Sequence, residues 1–296
     1  MKRDTTLLGS PVHRHSKLSE QESDYRRRHR WDWASIRAAT CVAWCRGHRC
    51  RANLPRSGSE QISFVKADLS SMHSAQRTAR TLPAETTDIL VFTTGIIAGS
   101  KRELTSEGIK RDMAVSYLSR FVMLQELGPR LGKDRSSPSF KPRVFIVGYP
   151  GTGAAGNSND LNAEKNYKAM PAHMNTVAAN EALTLDSVTR FPNLSVYGLN
   201  PGQVKSNIRS NFFGEDSIKG KVIETLIGWF TPSAEDYAKK IIPLFVAPEI
   251  SSRSGSLFNR KGEAILRSPE LTGSVIENFA ASSAKLAGKA GVNVGD

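Results

Sequence analysis

The chain has 296 residues, 39% of them apolar and 23% charged, with a formal net charge of +13. That length suits one α/β domain of roughly 200–250 residues plus tails, and no apolar run approaches the roughly 18 residues a membrane helix needs. The charge is uneven: residues 1–60 hold 13 Lys and Arg against 6 Asp and Glu, or +7, leaving +6 for the other 236, so no nucleic-acid partner is expected. The opening stretch is basic but lacks an apolar segment, which predicts no secretory signal and a cytoplasmic protein. All three Cys, three of the four Trp and four of the six His also fall before residue 60, and none of the 12 Phe does. That seam divides the chain into an irregular segment 1–60, a domain over 61–275 and a flexible tail over 276–296.

In chain order, Gln61–Ala67 reads as a strand closing on Asp68, and "TDILVFTTGI" (87–96) as a nearly all-apolar strand buried on both faces. A long helix is predicted across 107–131, with Ile109, Met113, Tyr117, Phe121 and Leu124 at helical spacing. "PRVFIVG" (142–148) is a strand, 170–191 a helix, and "LSVYGLN" (194–200) a strand running into Pro-Gly. Helical spacing returns between 208 and 246, "SGSLFNRKG" (254–262) reads as a last short strand, and the Ala-, Gly- and Ser-rich end is expected to fray. Strands alternating with helices of this length predict right-handed βαβ units in a doubly wound, Rossmann-type parallel sheet.

The segments "VKADLSS", "DILVFTTGI", "TSEGIKRDMAVSYLSRF", "RVFIVG" and "LSVYGLNPGQVKSNI" occur in one order across about 62 to 265. In that order they resemble the short-chain dehydrogenase/reductase family. The resemblance implies that Pro201 and Gly202 turn the backbone beneath a nicotinamide ring, and that Val204 and Ser206 touch the cofactor. Asp68 would meet the adenine amino group. Thr94 and Gly95 would pass the adenine ribose, although Phe92 and Thr93 replace two Asn of the family's turn.

The family's chemistry should then follow. Hydride transfer to a carbonyl carbon leaves an oxyanion that needs a proton from a positioned acid. The family uses a Tyr, with its pKa of about 10 lowered by a Lys four residues on, together with a Ser and an Asn. None of the four is present: His173 stands at the Tyr position, Val177 at the Lys position, Tyr149 about where the Ser belongs, and Ser116 where the Asn belongs. Tyr167 is the nearest other acid, but residue 171 is Pro, so it lacks a Lys partner too. Two readings stay open. His173 is a proton donor, since an unperturbed imidazole titrates near ~6.5, with Tyr149 aligning the substrate oxygen; or His173 and Val177 are a polar contact and a packing residue in an inert site.

The Gly-rich turn that binds pyrophosphate at a helix N-terminus is missing from residues 1–60, where Gly9, Gly47 and Gly58 are isolated. Read one base later, however, the codons of 27–38 permit Gly-Gly-Thr-x-Gly-Ile-Gly, because Trp31–Asp32 and Trp33–Ala34 must each give Gly. The same phase permits Thr-Val-Val-Gly-Arg across His48 to Ala52, with an Arg suited to a 2′-phosphate. Residues 25–57 therefore read as a frame-shifted or mis-spliced dinucleotide-binding unit. In that light Cys41, Cys45, His48 and Cys50 are too crowded for a zinc site, and "RRRHR" (26–30) reflects out-of-frame Arg codons.

The expected function is an NAD(P)-linked oxidoreductase, with NADP the first cofactor and NAD the second, acting on a small apolar carbonyl or alcohol. A tailoring step on a secondary metabolite would suit it. The alternative is a catalytically silent family member that binds a ligand or partner, or a non-functional gene product. Phe212, Phe213, Leu226, Ile227, Trp229 and Phe230 lie where the family places its substrate cover, and equally suit ordinary helix packing. "IETLIGWF" (223–230) is too short, without a basic flank, for stable membrane insertion. A small-molecule substrate and a homo-oligomer formed through the two long helices complete the expected partners.

Overall fold

Three apolar runs decide the architecture. In a strand, successive side chains point to opposite faces, so a run that is apolar at every position can be buried on both. The computed structural model describes residues 38–40, 65–97, 99–136, 140–165, 167–202 and 234–294. In it "ILVF", "RVFIV" and "SVYGL" form β2 (Ile89–Phe92), β3 (Arg143–Val147) and β4 (Ser195–Leu199), all parallel. Ala38–Thr40 forms β1, parallel to β2 at the sheet edge. Leu257–Phe258 (β5) runs parallel to β4, and Ala264–Ile265 (β6) returns antiparallel to β5, giving the order β1-β2-β3-β4-β5-β6.

Helices cover both faces. On one lie α1 (Met72–Thr81) and α2, a helix in three parts: an α-helical turn Arg111–Met113, a π-helical bulge Ala114–Leu118, and an α-helical remainder Ser119–Leu127. With them lies α3 (Ala169–Arg190). Leu90, Val144, Ile146 and Val196 pack into this layer with Leu118, Val122 and Leu183. On the other face α4 (Ala234–Val246) covers Ile89, Tyr197 and Phe145, whose ring lies 5.1 Å from Tyr197 and 4.4 Å from Phe245. Each fully buried side chain of this size contributes about 1.5–3 kcal/mol.

Several expectations are corrected. Residues 65–67 form no strand and Val65 is exposed; no described strand is there to pair with them, and 61–64 lie outside the described residues. The helix begins at Arg111, not 107, because Gly108 at φ +74° closes a turn in which Leu104 pairs with Lys110. The last short strand is a hairpin of two, closed by Asn259 bonding Gly262 and Glu263. The frayed tail is instead α5 (Gly273–Lys289), which places Phe279, Leu286 and Ala287 in the core. Residues 25–37 and 41–57 with their reading-frame question, the cover residues Phe212, Phe213, Leu226, Ile227, Trp229 and Phe230, and "IETLIGWF" lie outside the described residues. Within the irregular segment 1–60, Ala38–Thr40 is a paired strand. Among the described residues no helix is long and apolar enough to cross a membrane.

Candidate active site

Because β2, β3 and β4 are parallel, their C-terminal ends open onto one edge of the sheet, where ligands bind in such folds. The turns after β2 and β3 are tied together from beneath. Arg120, on α2 and almost fully buried, donates from Nη1 to the Val147 carbonyl (2.8 Å) and to Asn180 Oδ1 (2.9 Å), and from Nη2 to the Thr94 carbonyl. Asn180 on α3 donates to the carbonyls of Ser116 (2.9 Å) and Thr176 (2.7 Å). Ser116, inside the π bulge, accepts from Ile96 N at 2.9 Å and donates to Ile96 O at 3.0 Å. Its hydroxyl therefore pins the turn carrying Thr94 and Gly95.

At the head of α3 the structure assembles three titratable groups. His173 Nδ1 lies 3.2 Å from Asp112 Oδ2, and Asp112 Oδ1 lies 2.7 Å from Lys110 Nζ. The Asp112 and Lys110 side chains are each 2% exposed, that of His173 19%. Lys110 Nζ also donates to the Ala172 carbonyl at 2.8 Å, and its backbone N–H to Asn162 Oδ1 at 2.6 Å. Burial pulls the Lys110 ammonium below the ordinary lysine range; the Asp112 carboxylate opposes this and the Arg102 charge adds to it. Lys110, Asp112 and Tyr167 line a small cleft with Ile96 and Gly99. Pro171 is tolerated because it falls in the first turn of α3, where no intrahelical N–H is needed.

Comparison with known proteins places this geometry. No family model matches the chain. It is 47% identical over 234 residues, 78% of this chain and 76% of the other, to the uncharacterised oxidoreductase YKL107W of Saccharomyces cerevisiae. Its fold matches that of a short chain dehydrogenase family protein from Francisella tularensis, at TM-score 0.50 and 15% identity, over 69% of this chain and 81% of that one. The chain belongs with that oxidoreductase and carries the short-chain dehydrogenase fold. An uncharacterised protein from Mycobacterium paratuberculosis shares the fold at TM-score 0.52 and 18% identity, over 80% of this chain and 78% of that one.

Val177, expected from the sequence at the place of a Lys, is buried. Tyr149 follows β3 with φ +61°, a left-handed backbone that costs a non-glycine residue roughly 1–2 kcal/mol, and its ring is 37% exposed. No hydrogen bond joins it to His173. The Tyr167 hydroxyl donates to the Gly99 carbonyl at 2.5 Å; burial pushes its phenol above the ordinary value, and Asp112 and Glu103 add to this, so it is a poor acid near neutrality. Asp68 is exposed and accepts from Ser70 N (2.9 Å) and Ser70 Oγ (2.7 Å) ahead of α1. Asn200 fastens the Pro201–Gly202 turn, donating to the Pro150 carbonyl (2.7 Å) and accepting from Gly202 N (2.9 Å), with Gly202 at φ +64°. Val204 and Ser206 lie outside the described residues.

Sequence reasoning missed Lys110, Asp112, Arg120 and Asn180. One signal was present: "KRD" (110–112) sets three charges at the start of an otherwise apolar helix. It also missed Glu181, buried on α3, whose carboxylate accepts from Gly151 N (2.9 Å), Ser268 N (2.6 Å) and Ser268 Oγ (2.9 Å) and so ties the Tyr149 loop to the segment after β6. Among the described residues no cluster of His, Cys, Asp or Glu could hold a metal ion.

Proposed function

We propose that the protein is a nicotinamide-dependent oxidoreductase that interconverts a small apolar carbonyl compound and its alcohol, with His173 as the proton donor and acceptor. The observation that carries this reading is the His173–Asp112 contact at the place the family gives its acid. Nδ1 faces a buried carboxylate, which leaves Nε2 for the substrate oxygen. In the reductive direction the carbonyl carbon gains a hydride while its oxygen takes the proton from Nε2; oxidation reverses both. The strand-end turns suit a dinucleotide at this edge, since Gly95 and Gly202 interrupt them with residues that lack a Cβ and allow close backbone approach. Bound there, NAD(P)H would supply the hydride.

The apolar substrate class is supported by what surrounds the site. Leu104, Tyr149, Met170 and Leu266 are large, apolar and exposed. Leu104 pairs with Lys110, Met170 stands one helical turn before His173, Tyr149 ends the β3 turn, and the Leu266 carbonyl packs against Gly151. Exposed apolar side chains gathered about polar convergent groups mark ligand sites. NADP remains the first form to test, and a tailoring step on a small metabolite would use such a rim.

Thermal unfolding with NADPH and with NADH tests the reading. A cofactor at a hundred times its Kd should add about 2.7 kcal/mol of stability and raise Tm accordingly. No shift with either form would sink the redox role and leave a binding protein without turnover.

A further inference from the structure

We propose that Lys110 and Asp112 are positioning residues for His173: Asp112 fixes the imidazole with its proton on Nδ1, and Lys110 holds Asp112 as the anion that does so. The inference rests on His173 as the proton donor.

An ionised carboxylate only accepts hydrogen bonds. Asp112 Oδ2 lies 3.2 Å from His173 Nδ1, and Oδ1 lies 2.7 Å from Lys110 Nζ, an ion pair without hydrogen-bond alignment. The hydrogen between Oδ2 and the ring therefore belongs to Nδ1. Neutral His173 then carries its proton on Nδ1 with a lone pair on Nε2, and the imidazolium carries the transferable proton on Nε2. Either state serves one direction of the reaction, without rotation of the ring.

Folding alone gives no reason for this pair. Two side chains 2% exposed lose hydration worth several kcal/mol each, and well-packed apolar residues in such places are often neutral or stabilising. Lys110 is also held by two hydrogen bonds: its backbone N–H donates to Asn162 Oδ1, and its ammonium donates to the carbonyl of Ala172, the residue before His173. The cation that the family places one turn along the helix thus approaches from α2's leading turn, which leaves Val177 free to pack. Of the other charged or titratable groups near the pair, Glu103 pairs with Arg111 at 2.8 Å, Arg102 donates to the Asn162 carbonyl, Tyr167 donates to Gly99, and Lys101 on the same cleft is exposed and cationic. None of these contacts supplies His173 Nδ1 with another acceptor.

The test is the tautomer, read from long-range ¹⁵N–¹H correlations of ¹⁵N-histidine in the full chain above the imidazole titration, with His173 assigned by loss of its signals in His173→Gln. The wild type should show a proton on Nδ1; a proton on Nε2 overturns the proposal, and this arm needs no substrate. Asp112→Asn presents an amide N–H to the ring and should move the proton to Nε2, with kcat falling by about 10²–10⁴-fold and cofactor KM unchanged. An unaltered spectrum and rate in that variant contradict the role of Asp112. Lys110→Met should leave a mixture of tautomers; retention of a single Nδ1–H form removes Lys110 from the account. A chain that shows the Nδ1 proton but turns over no carbonyl compound would fail the proposed reaction and not the positioning.

Discussion

The Arg120 guanidinium lies 2.9 Å from the Asn180 amide oxygen, and through this contact α2 and α3 brace the ends of β2 and β3. Arg120 also reaches the carbonyls of Val147 and Thr94, while Asn180 turns its amide nitrogen to Ser116. Arg120→Met keeps much of the volume and removes every donor, leaving buried acceptors without partners at about 1–3 kcal/mol each. We expect it to destabilise the fold by roughly 3–5 kcal/mol, the range for breaking a buried charged network, and to weaken cofactor binding by loosening the Thr94 turn. Urea unfolding checks the first effect and fluorescence titration with NADPH the second; a loss under about 0.5 kcal/mol, the scale of an ordinary surface change, would show that the brace is dispensable.

Glu107 provides a pH-dependent contact. It caps α1 from 35 residues away, accepting from Met72 N (2.6 Å), Ser71 Oγ (2.7 Å) and His73 Nδ1 (3.0 Å). Burial favours its protonated form, but these donors outweigh it and hold the carboxyl below the ordinary glutamate range. With a folded pKa below the unfolded one, its contribution is fully present above the unfolded value of about 4.3 and is lost as pH falls through the folded value. Glu107→Gln should therefore cost about 1–2 kcal/mol at pH 7, and the gap from wild type should close in acid. Unfolding free energies of both proteins from pH 7 to pH 3 check this; a gap that is constant with pH would contradict it.

The C-terminal helix is expected to be essential. Phe279 is 1% exposed, and the Ser283 hydroxyl lies 2.6 Å from that of Tyr117 on α2. Phe279→Ala should destabilise by about 3–5 kcal/mol, a large part of the 5–15 kcal/mol typical of a whole domain. Denaturant unfolding measures it, and a cost below about 1 kcal/mol would mean that α5 frays in solution.

The same helix shows what the sequence hides. β2, β3 and β4 are legible because strands buried on both faces must be apolar at every position, and α3 because its spacing runs unbroken from Ala169 to Arg190. Residues 276–296 looked like a tail because Ala, Gly and Ser dominate them, yet Phe279, Ser283, Leu286 and Ala287 fall at helical spacing on one face, and small residues are what let a helix pack closely. The candidate site divides the same way. His173 can be picked out by its place ahead of "LSVYGLNPG"; its contact with Asp112 cannot, because Asp112 stands 61 residues away and nothing local marks a contact made by folding. The bonds of the Ser116 hydroxyl to Ile96 are hidden likewise, since they depend on the π bulge.

The central claim, that His173 moves the proton in a nicotinamide-linked reaction, is tested most directly by the rate of NADPH consumption with a panel of small apolar ketones, measured for the wild type and His173→Ala at pH 7. We expect turnover in the wild type and a kcat lower by about 10²–10⁴-fold in the variant, with NADPH affinity preserved. Equal rates in the two proteins would contradict the account.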